Sequence, residues 1–217
     1  MIAVVDYHKG NLKSVERGLI GVGGDAIITD DPAVIAQADA IVLPGVGAFA
    51  DAAATMRELG QMEVVRDAIA RGVPFLGICL GMHLMFEEGE EGEVVTGEDE
   101  DPIRPEGLAV LPGVVGRLPR LDEQGAAYKI PHVGWNSIEF EEGPLFEGIP
   151  QGEFFYFTHS YAAPETPATI ARTTHSITFP SVVQYGERAF GVQFHPEKSS
   201  DAGARMLANF VRIAREG

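Results

Sequence analysis

The chain has 217 residues, 45% of them hydrophobic, and a formal net charge of −16 at pH 7. This length supports one substantial hydrophobic core and is short for two, so we expect a single domain over residues 1–217. The negative charge argues against nucleic acid as a partner, because its phosphates would be repelled. No stretch approaches the roughly 18 apolar residues that predict a membrane span. A single cysteine excludes an internal disulfide and suits a reducing, cytoplasmic compartment.

Short apolar strands alternate with helices in the first part of the chain. Strands are predicted at 4–5, 26–28, 40–43 and 73–76, and helices at 11–21, 49–59 and 62–71. This alternation indicates an α/β fold built on a parallel sheet. Such sheets bind ligands at the carboxyl ends of their strands, and Asp6, Gly45 and Cys79 each lie at such an end. We therefore expect a functional site where these turns meet.

The most informative segment is Gly-Ile-Cys-Leu-Gly at 77–81, which places the only cysteine at a predicted strand-to-helix junction. Small residues on both sides permit a sharp turn, as in the nucleophile elbow of serine hydrolases. Apolar positions within 82–86 predict a following helix, whose N-terminal N–H groups and dipole would favour a thiolate. The alternative is that Cys79 is an ordinary buried apolar side chain. A nearby base would decide between the two.

A strongly acidic segment follows, with nine carboxylates between Glu87 and Asp101. The Asp/Asn spacing of a calcium-binding loop is missing. Since like charges repel, we interpret residues 88–101 as a mobile, solvated loop without a chemical role. We expect neither a metal nor a cofactor in this protein.

The second half of the chain has a different pattern. Residues 108–194 contain short apolar runs rich in β-branched and aromatic residues, which predict an added antiparallel portion. A last helix is predicted at 202–214.

The candidate base, His195, follows the apolar alternation of Val192 and Phe194. Because Pro196 disfavours the α conformation before it, His195 is expected to be extended. Side chains at i and i+2 of an extended chain point the same way, so Glu197 would converge on the imidazole and orient it. Taken alone, this motif also fits a strand terminator followed by a solvated charge. Together with the cysteine segment, the catalytic interpretation is favoured.

These motifs belong to a set that resembles the class I, triad-type glutamine amidotransferases. Residues 77–82 are similar to the nucleophile motif of that family, and Pro-Gly-Val-Gly-Ala-Phe at 44–49 is similar to the oxyanion loop of its histidine-pathway branch. Further similar blocks lie at 6–12, 129–136, 158–161 and 191–199. The blocks cover essentially the whole chain in family order, and they most resemble the glutaminase subunits of imidazole glycerol phosphate synthase. The implied fold is a flavodoxin-like layered sheet, mostly parallel, with an added antiparallel portion.

The resemblance also implies a reaction. Cys79 would attack the side-chain carbonyl of glutamine, His195 would transfer protons, and Glu197 would orient the imidazole. A thioester would form and then be cleaved by water. The oxyanion would be held by backbone N–H groups, those of Val46, Gly47 and Leu80.

Four residues are implied to bind glutamine, namely Gly45, His83, Ser160 and Tyr161, whereas His159 is interpreted as structural. The chain departs from the family at His83, where glutamine is usual. A neutral histidine offers one donor and one acceptor, and so replaces part of that contact. It can also protonate near pH 6.5 and add a charge beside the thiolate.

The resemblance finally implies that ammonia passes to a separate cyclase subunit, in a heterodimer. That partner would form imidazole glycerol phosphate and an aminoimidazole carboxamide ribotide. Candidate interface residues are Asn11, Lys13 and Trp135, although a lone tryptophan fits a core position equally well. Three alternatives stay open: a glutaminase serving another synthase, a non-catalytic regulatory subunit, and a standalone cysteine hydrolase.

Overall fold

A computed structural model describes residues 1–94 and 102–216, so the predicted acidic loop at 88–101 lies partly outside the described residues. The strands are β1 (Ile2–Val5), β2 (Ala26–Thr29), β3 (Ala40–Leu43), β4 (Phe75–Ile78), β5 (Phe86–Gly89), β6 (Leu111–Arg117), β7 (His132–Ser137), β8 (Glu139–Phe140), β9 (Phe154–His159), β10 (Tyr161–Ala162), β11 (Thr169–Thr174), β12 (Thr178–Tyr185) and β13 (Ala189–Val192). The helices are α1 (Leu12–Gly21), α2 (Pro32–Ala36), α3 (Phe49–Glu58), α4 (Gln61–Ala70), α5 (Leu80–His83) and α6 (Ser200–Arg215).

A central eight-stranded sheet has the order β2-β1-β3-β4-β13-β12-β11-β8. The five strands from β2 to β13 pair in parallel, and β12, β11 and β8 continue the sheet in antiparallel pairing. The predicted α/β class, with a mostly parallel sheet and added antiparallel strands, is therefore confirmed. One strand of the 108–194 region departs from the prediction, because β13 joins β4 in parallel. That pairing brings the chain after β13 to the edge of the sheet where β4 ends.

The inner strands β1, β3, β4 and β13 are buried on both faces, which explains their apolar sequences. In β1, Val4 belongs to a core cluster that contains Leu19 of α1 and Phe210 of α6. Its neighbour Val5 belongs to a second cluster that contains Met56 of α3. The alternation of side chains along each strand thus supplies two cores, one on each face.

Two smaller sheets lie beside this layer. One has the order β10-β6-β5, and the other is the antiparallel pair of β7 and β9. In that pair Trp135 lies opposite Tyr156. His132 and Phe157 are buried, whereas Val133 and Trp135 are exposed. The pair therefore has one face in the core and one apolar face on the surface.

The helix predicted after Cys79 is shorter than expected. Helix α5 ends at His83, and Phe86 instead begins β5 and pairs with Leu111 of β6. Residues 82–86 are all buried, and a short buried run does not distinguish a helix from a strand by its periodicity.

Helix α2 was not predicted, although its start has a recognisable signal. Asp31 Oδ1 accepts the N–H of Ala33 at 2.8 Å, and Pro32 occupies the first turn. An acidic cap followed by proline is a typical helix beginning. Among the helices of residues 1–94 and 102–216, none is long and apolar enough to cross a membrane.

Candidate active site

Cys79 lies at the carboxyl end of β4 in a strained backbone conformation. Its φ is 52° and its ψ is −104°, a region that residues with a side chain rarely adopt. The neighbouring strand β13 stabilises this conformation, since the Cys79 N–H donates to the Val192 carbonyl at 2.7 Å. The side chain is buried. The sharp strand-to-helix turn expected from the sequence is therefore present, with the cysteine at its apex.

Gly77 and Gly81, on either side of Cys79, are needed because other chain segments pack closely against them. A Cβ on Gly81 would collide with the Leu43 carbonyl of β3, and one on Gly77 would collide with the backbone of Gly81. The positive φ is adopted by Cys79 itself, and these glycines let α5 approach the sheet.

The predicted helix-dipole contribution at Cys79 is smaller than the sequence suggested. Helix α5 has only four residues, and a macrodipole requires many aligned peptides. Leu80, the first residue of this turn, lines the same cavity as Cys79.

His195 and Glu197 form a buried pair. His195 Nδ1 lies 2.9 Å from Glu197 Oε1, and their side chains are 2% and 1% exposed. His195 is extended, as predicted, but Glu197 lies in the 3-10 turn Pro196–Lys198. The turn is therefore what brings the two side chains together. Their predicted proximity is present, but the predicted cause, an extended chain at both residues, is wrong.

The charge state of His195 follows from this environment. Burial lowers its pKa, but the Cys79 sulfur and the Glu197 carboxylate outweigh burial and raise it to about 9. His195 Nε2 is buried without a hydrogen-bond partner in the part of the chain that is described. An imidazole with one nitrogen fixed and the other unoccupied is suited to proton transfer.

Ser199 and Tyr156 hold the loop that carries His195, and neither was singled out from the sequence. Ser199 Oγ donates to the His195 carbonyl at 2.7 Å and accepts the Tyr156 N–H at 3.0 Å. The His195 N–H in turn donates to the Tyr156 carbonyl at 2.9 Å. These bonds join the turn to β9.

A cavity of about 310 Å³ opens at Cys79. It is lined by residues from the loop after β3, from Cys79 and α5, from the acidic segment, from the residue before β7, and from the end of β9 and the start of β10. These are Val46, Gly47, Cys79, Leu80, His83, Glu91, Pro131, Thr158, His159, Ser160 and Tyr161. The cavity therefore brings together the cysteine, the predicted oxyanion segments and three of the four predicted glutamine-binding residues.

The predicted oxyanion loop forms one wall of this cavity. Val46 and Gly47 line it together with Leu80. Gly45, predicted to bind substrate, is placed differently: a Cβ there would collide with the Leu80 side chain and the Tyr7 hydroxyl, and Gly45 does not line the cavity. Its role in the structure is to let the loop pack on α5.

His83 lines the cavity but cannot titrate as expected. It is buried, and its Nε2 lies 2.7 Å from Oε1 of Gln193. Burial lowers the pKa of His83 to about 4, against a smaller opposing effect of Gln193. The imidazole is thus neutral at pH 7, and the expected protonation near pH 6.5 is wrong because burial disfavours the charged form.

Glu91 is a cavity residue that the sequence interpretation missed. It lies in the acidic segment to which no chemistry was assigned, and Oε2 accepts the Phe49 N–H of α3 at 3.0 Å. Burial raises the pKa of Glu91, and the Phe49 hydrogen bond partly offsets this. No feature of the acidic run distinguishes Glu91 from its neighbours, so only the fold identifies it.

Two histidines beside the cavity have structural contacts. His159 Nδ1 lies 2.8 Å from the Tyr161 carbonyl, and its Nε2 lies 3.0 Å from His132 Nδ1. Burial lowers the pKa of both histidines. These contacts agree with the structural interpretation of His159. Within residues 1–94 and 102–216, no cluster of three or more histidine, cysteine or carboxylate side chains is suited to a metal ion.

The candidate interface residues lie at the surface. Trp135 is 51% exposed, which removes the alternative of a core position. Lys13 is exposed and Asn11 is half-buried at the start of α1. The segment that precedes α1 lies close to the oxyanion loop, because a Cβ added to Gly47 would lie 3.6 Å from the Lys9 side chain. Asn11 and Lys13 are therefore on the side of the sheet that carries the cavity.

Comparison with known proteins agrees with this geometry. A family model, glutamine amidotransferase class-I, matches residues 3–214. The chain is 45% identical to the imidazole glycerol phosphate synthase subunit HisH of Moorella thermoacetica, over 99% of this chain and 95% of that protein. It is 46% identical to the HisH subunit of Chloroflexus aurantiacus, over 98% and 95%. A crystal structure of a glutamine amidotransferase matches with a TM-score of 0.71 at 20% identity, over 99% of this chain and all of that one, and supports the fold alone.

Proposed function

This chain belongs to the class I glutamine amidotransferases, in the family of the HisH subunits of imidazole glycerol phosphate synthase, and we propose that it hydrolyses glutamine and delivers ammonia to a cyclase subunit. The observation that carries the proposal is the cavity in which Cys79 faces the oxyanion loop. The buried pair of His195 and Glu197 lies beside the Cys79 sulfur. We treat residues 1–217 as one domain, since the family match spans 3–214.

The chemistry follows from the positions of these groups. The Cys79 sulfur attacks the amide carbon of glutamine, and the negative charge that forms on the carbonyl oxygen is stabilised by backbone N–H groups of Leu80 and the Val46-Gly47 loop. His195 takes the proton of the Cys79 thiol and donates it to the departing ammonia. It then accepts a proton from the water that cleaves the thioester and returns it to the released thiolate. Glu197 stabilises the imidazolium and fixes its orientation.

The cavity also matches the two charges at the other end of glutamine. We assign the Glu91 carboxylate to the α-ammonium group, because opposite charges attract and Glu91 lines the cavity. Ser160 and Tyr161, which also line the cavity, are assigned to the α-carboxylate through their main-chain groups. His83 offers Nδ1 as an acceptor, since its Nε2 contacts Gln193.

The partner is proposed to dock on the β7–β9 stripe, the exposed face formed by Val133, Trp135 and Phe154, which are 56%, 51% and 53% exposed. Apolar side chains exposed side by side are typical of interaction surfaces. The stripe adjoins the cavity, because Pro131 and Thr158 of the same sheet region line it. We propose that this stripe, together with Asn11 and Lys13, binds the cyclase in a heterodimer. The bound cyclase would then close the cavity off from solvent.

A cytoplasmic location is part of the proposal, because a catalytic thiol requires a reducing compartment. Service to another synthase is less well supported, since the relatives named above are HisH subunits. A purely regulatory role is disfavoured by the complete set of Cys79, His195 and Glu197.

The deciding experiment measures glutamate and ammonia from glutamine as a function of cyclase concentration, with and without the ribotide substrate of the cyclase. We expect a low rate for the isolated chain and a strong increase with partner and ribotide, because unused ammonia would waste glutamine. A full rate without partner would instead indicate a free-standing glutaminase. If glutamine is not hydrolysed under any of these conditions, the result would support the regulatory role instead.

A further inference from the structure

A buried glutamine connects His83 to the Cys79 sulfur. Gln193 is completely buried, and its Nε2 lies 3.7 Å from Cys79 Sγ. Its Oε1 lies 2.7 Å from His83 Nε2. The three side chains thus form a continuous chain of polar contacts from one wall of the cavity to the reacting atom.

The chemistry of these groups fixes the direction of each contact. A glutamine oxygen only accepts, so His83 Nε2 must donate to it, and a neutral imidazole carries its single proton on that nitrogen. With its oxygen occupied by His83, the Gln193 amide presents N–H toward the sulfur. The reverse orientation would direct a carbonyl oxygen at a negatively charged thiolate.

Besides His195 and Gln193, the sulfur has a third neighbour, which favours the opposite charge state. Cys79 Sγ lies 3.9 Å from the Thr158 carbonyl, which can accept from a thiol but repels a thiolate. An N–H from Gln193 offsets that repulsion, because a donor near a negative charge lowers its free energy. The orientation of one amide therefore affects which form of Cys79 is favoured.

We propose that Gln193 is the side-chain donor that stabilises the Cys79 thiolate, and that neutral His83 positions it by holding its carbonyl oxygen. This inference rests on the proposed function of Cys79 as the nucleophile. Gln193 contacts the reacting sulfur, whereas His83 acts through Gln193 and is a positioning residue. Histidine at position 83 supplies the donor to the Gln193 carbonyl oxygen.

The test uses alkylation of Cys79 by iodoacetamide, which reports on the thiolate without requiring glutamine hydrolysis. Cys79 is the only cysteine, so the reaction has one site. We expect Gln193→Leu to shift the midpoint of the pH–rate profile upward by about one pH unit, the effect of losing one hydrogen bond of moderate strength. Gln184→Leu, on β12 outside the cavity, should leave the midpoint unchanged.

His83 supplies the second comparison. His83→Leu removes the donor and should shift the midpoint upward, because the Gln193 amide is then free to turn. His83→Gln restores an N–H donor and should return the wild-type midpoint. If His83 acted only through packing, His83→Gln would not be expected to restore the wild-type midpoint.

The outcomes separate this inference from the proposed function. An unchanged midpoint in a folded Gln193→Leu protein overturns the inference, whether or not Cys79 is the nucleophile. If that variant fails to fold, identical midpoints for His83→Leu and His83→Gln overturn it. Glutamine hydrolysis that persists in Cys79→Ala would instead overturn the proposed function, and would not alter the measured midpoints.

Discussion

His195 Nδ1 and Glu197 Oε1 are 2.9 Å apart, and both side chains are almost completely buried. A buried carboxylate on Nδ1 fixes the imidazole so that Nε2 is available to the sulfur. Burial alone would lower the pKa of His195, yet Cys79 and Glu197 raise it to about 9. The pair is therefore prepared to carry a positive charge beside the cysteine at neutral pH.

This relationship predicts an order of severity. His195→Ala should lower the turnover number for glutamine by about 10⁶, and Glu197→Ala by about 10⁴, since an orienting carboxylate is partly replaceable. The measurement is the initial rate of glutamate formation by the partnered enzyme. The reverse order would contradict the assigned roles.

Cys79→Ala should abolish glutamine hydrolysis, because the sulfur is the proposed nucleophile. The complex should still form product from added ammonia, since that route bypasses the thioester. Product formation with each nitrogen source checks both statements. Loss of the ammonia-dependent reaction would mean that the variant disrupts the complex and not only the chemistry.

Glu91→Gln should raise the Michaelis constant for glutamine by about tenfold, with a smaller change in turnover number. The expected loss corresponds to one charge-assisted hydrogen bond to the α-ammonium group, worth about 1.5 kcal/mol. Glu142→Gln is the control, since Glu142 is exposed and outside the cavity. Equal constants for the two variants would remove Glu91 from substrate binding.

Trp135→Ala should weaken binding of the cyclase by about 2 kcal/mol, or about thirtyfold, as expected for an aromatic interface anchor. The thermal midpoint of the isolated chain should change little, because Trp135 is half-exposed. Leu121→Ala removes another exposed apolar side chain outside the stripe and should leave binding unchanged. Titration calorimetry compares the two, and similar affinities would place the interface elsewhere.

Acid should destabilise the fold partly through His83. The pKa of His83 is about 4 in the folded chain and 6.5 in the unfolded chain. Between these two pH values His83 is protonated in the unfolded state and neutral in the folded state. Stability is therefore lost as pH falls from 6.5 to 4, by about 3 kcal/mol from this group. Urea unfolding at pH 7 and pH 4.5 should show a smaller loss for His83→Gln than for the wild type. Equal losses would indicate that His83 is readily protonated in the folded chain.

Local patterns in the sequence predicted much of this protein. The alternation of strands and helices, the glycines around Cys79 and the His195-Pro-Glu197 motif each act over a few residues, where side-chain size and backbone preference are decisive. They predicted the α/β class, the turn at Cys79 and the proximity of His195 to Glu197. The family resemblance then supplied the activity that the comparisons support.

Tertiary structure decided what depends on residues that are distant along the chain. The parallel pairing of β13 with β4 brings the chain leading to His195 to the end of the strand before Cys79. Burial made His83 neutral, and the fold placed Glu91 in the cavity wall and packed Gly45 against Leu80 and Tyr7, outside the cavity lining. Strand order, desolvation and cavity walls arise from packing between segments, so no local pattern encodes them.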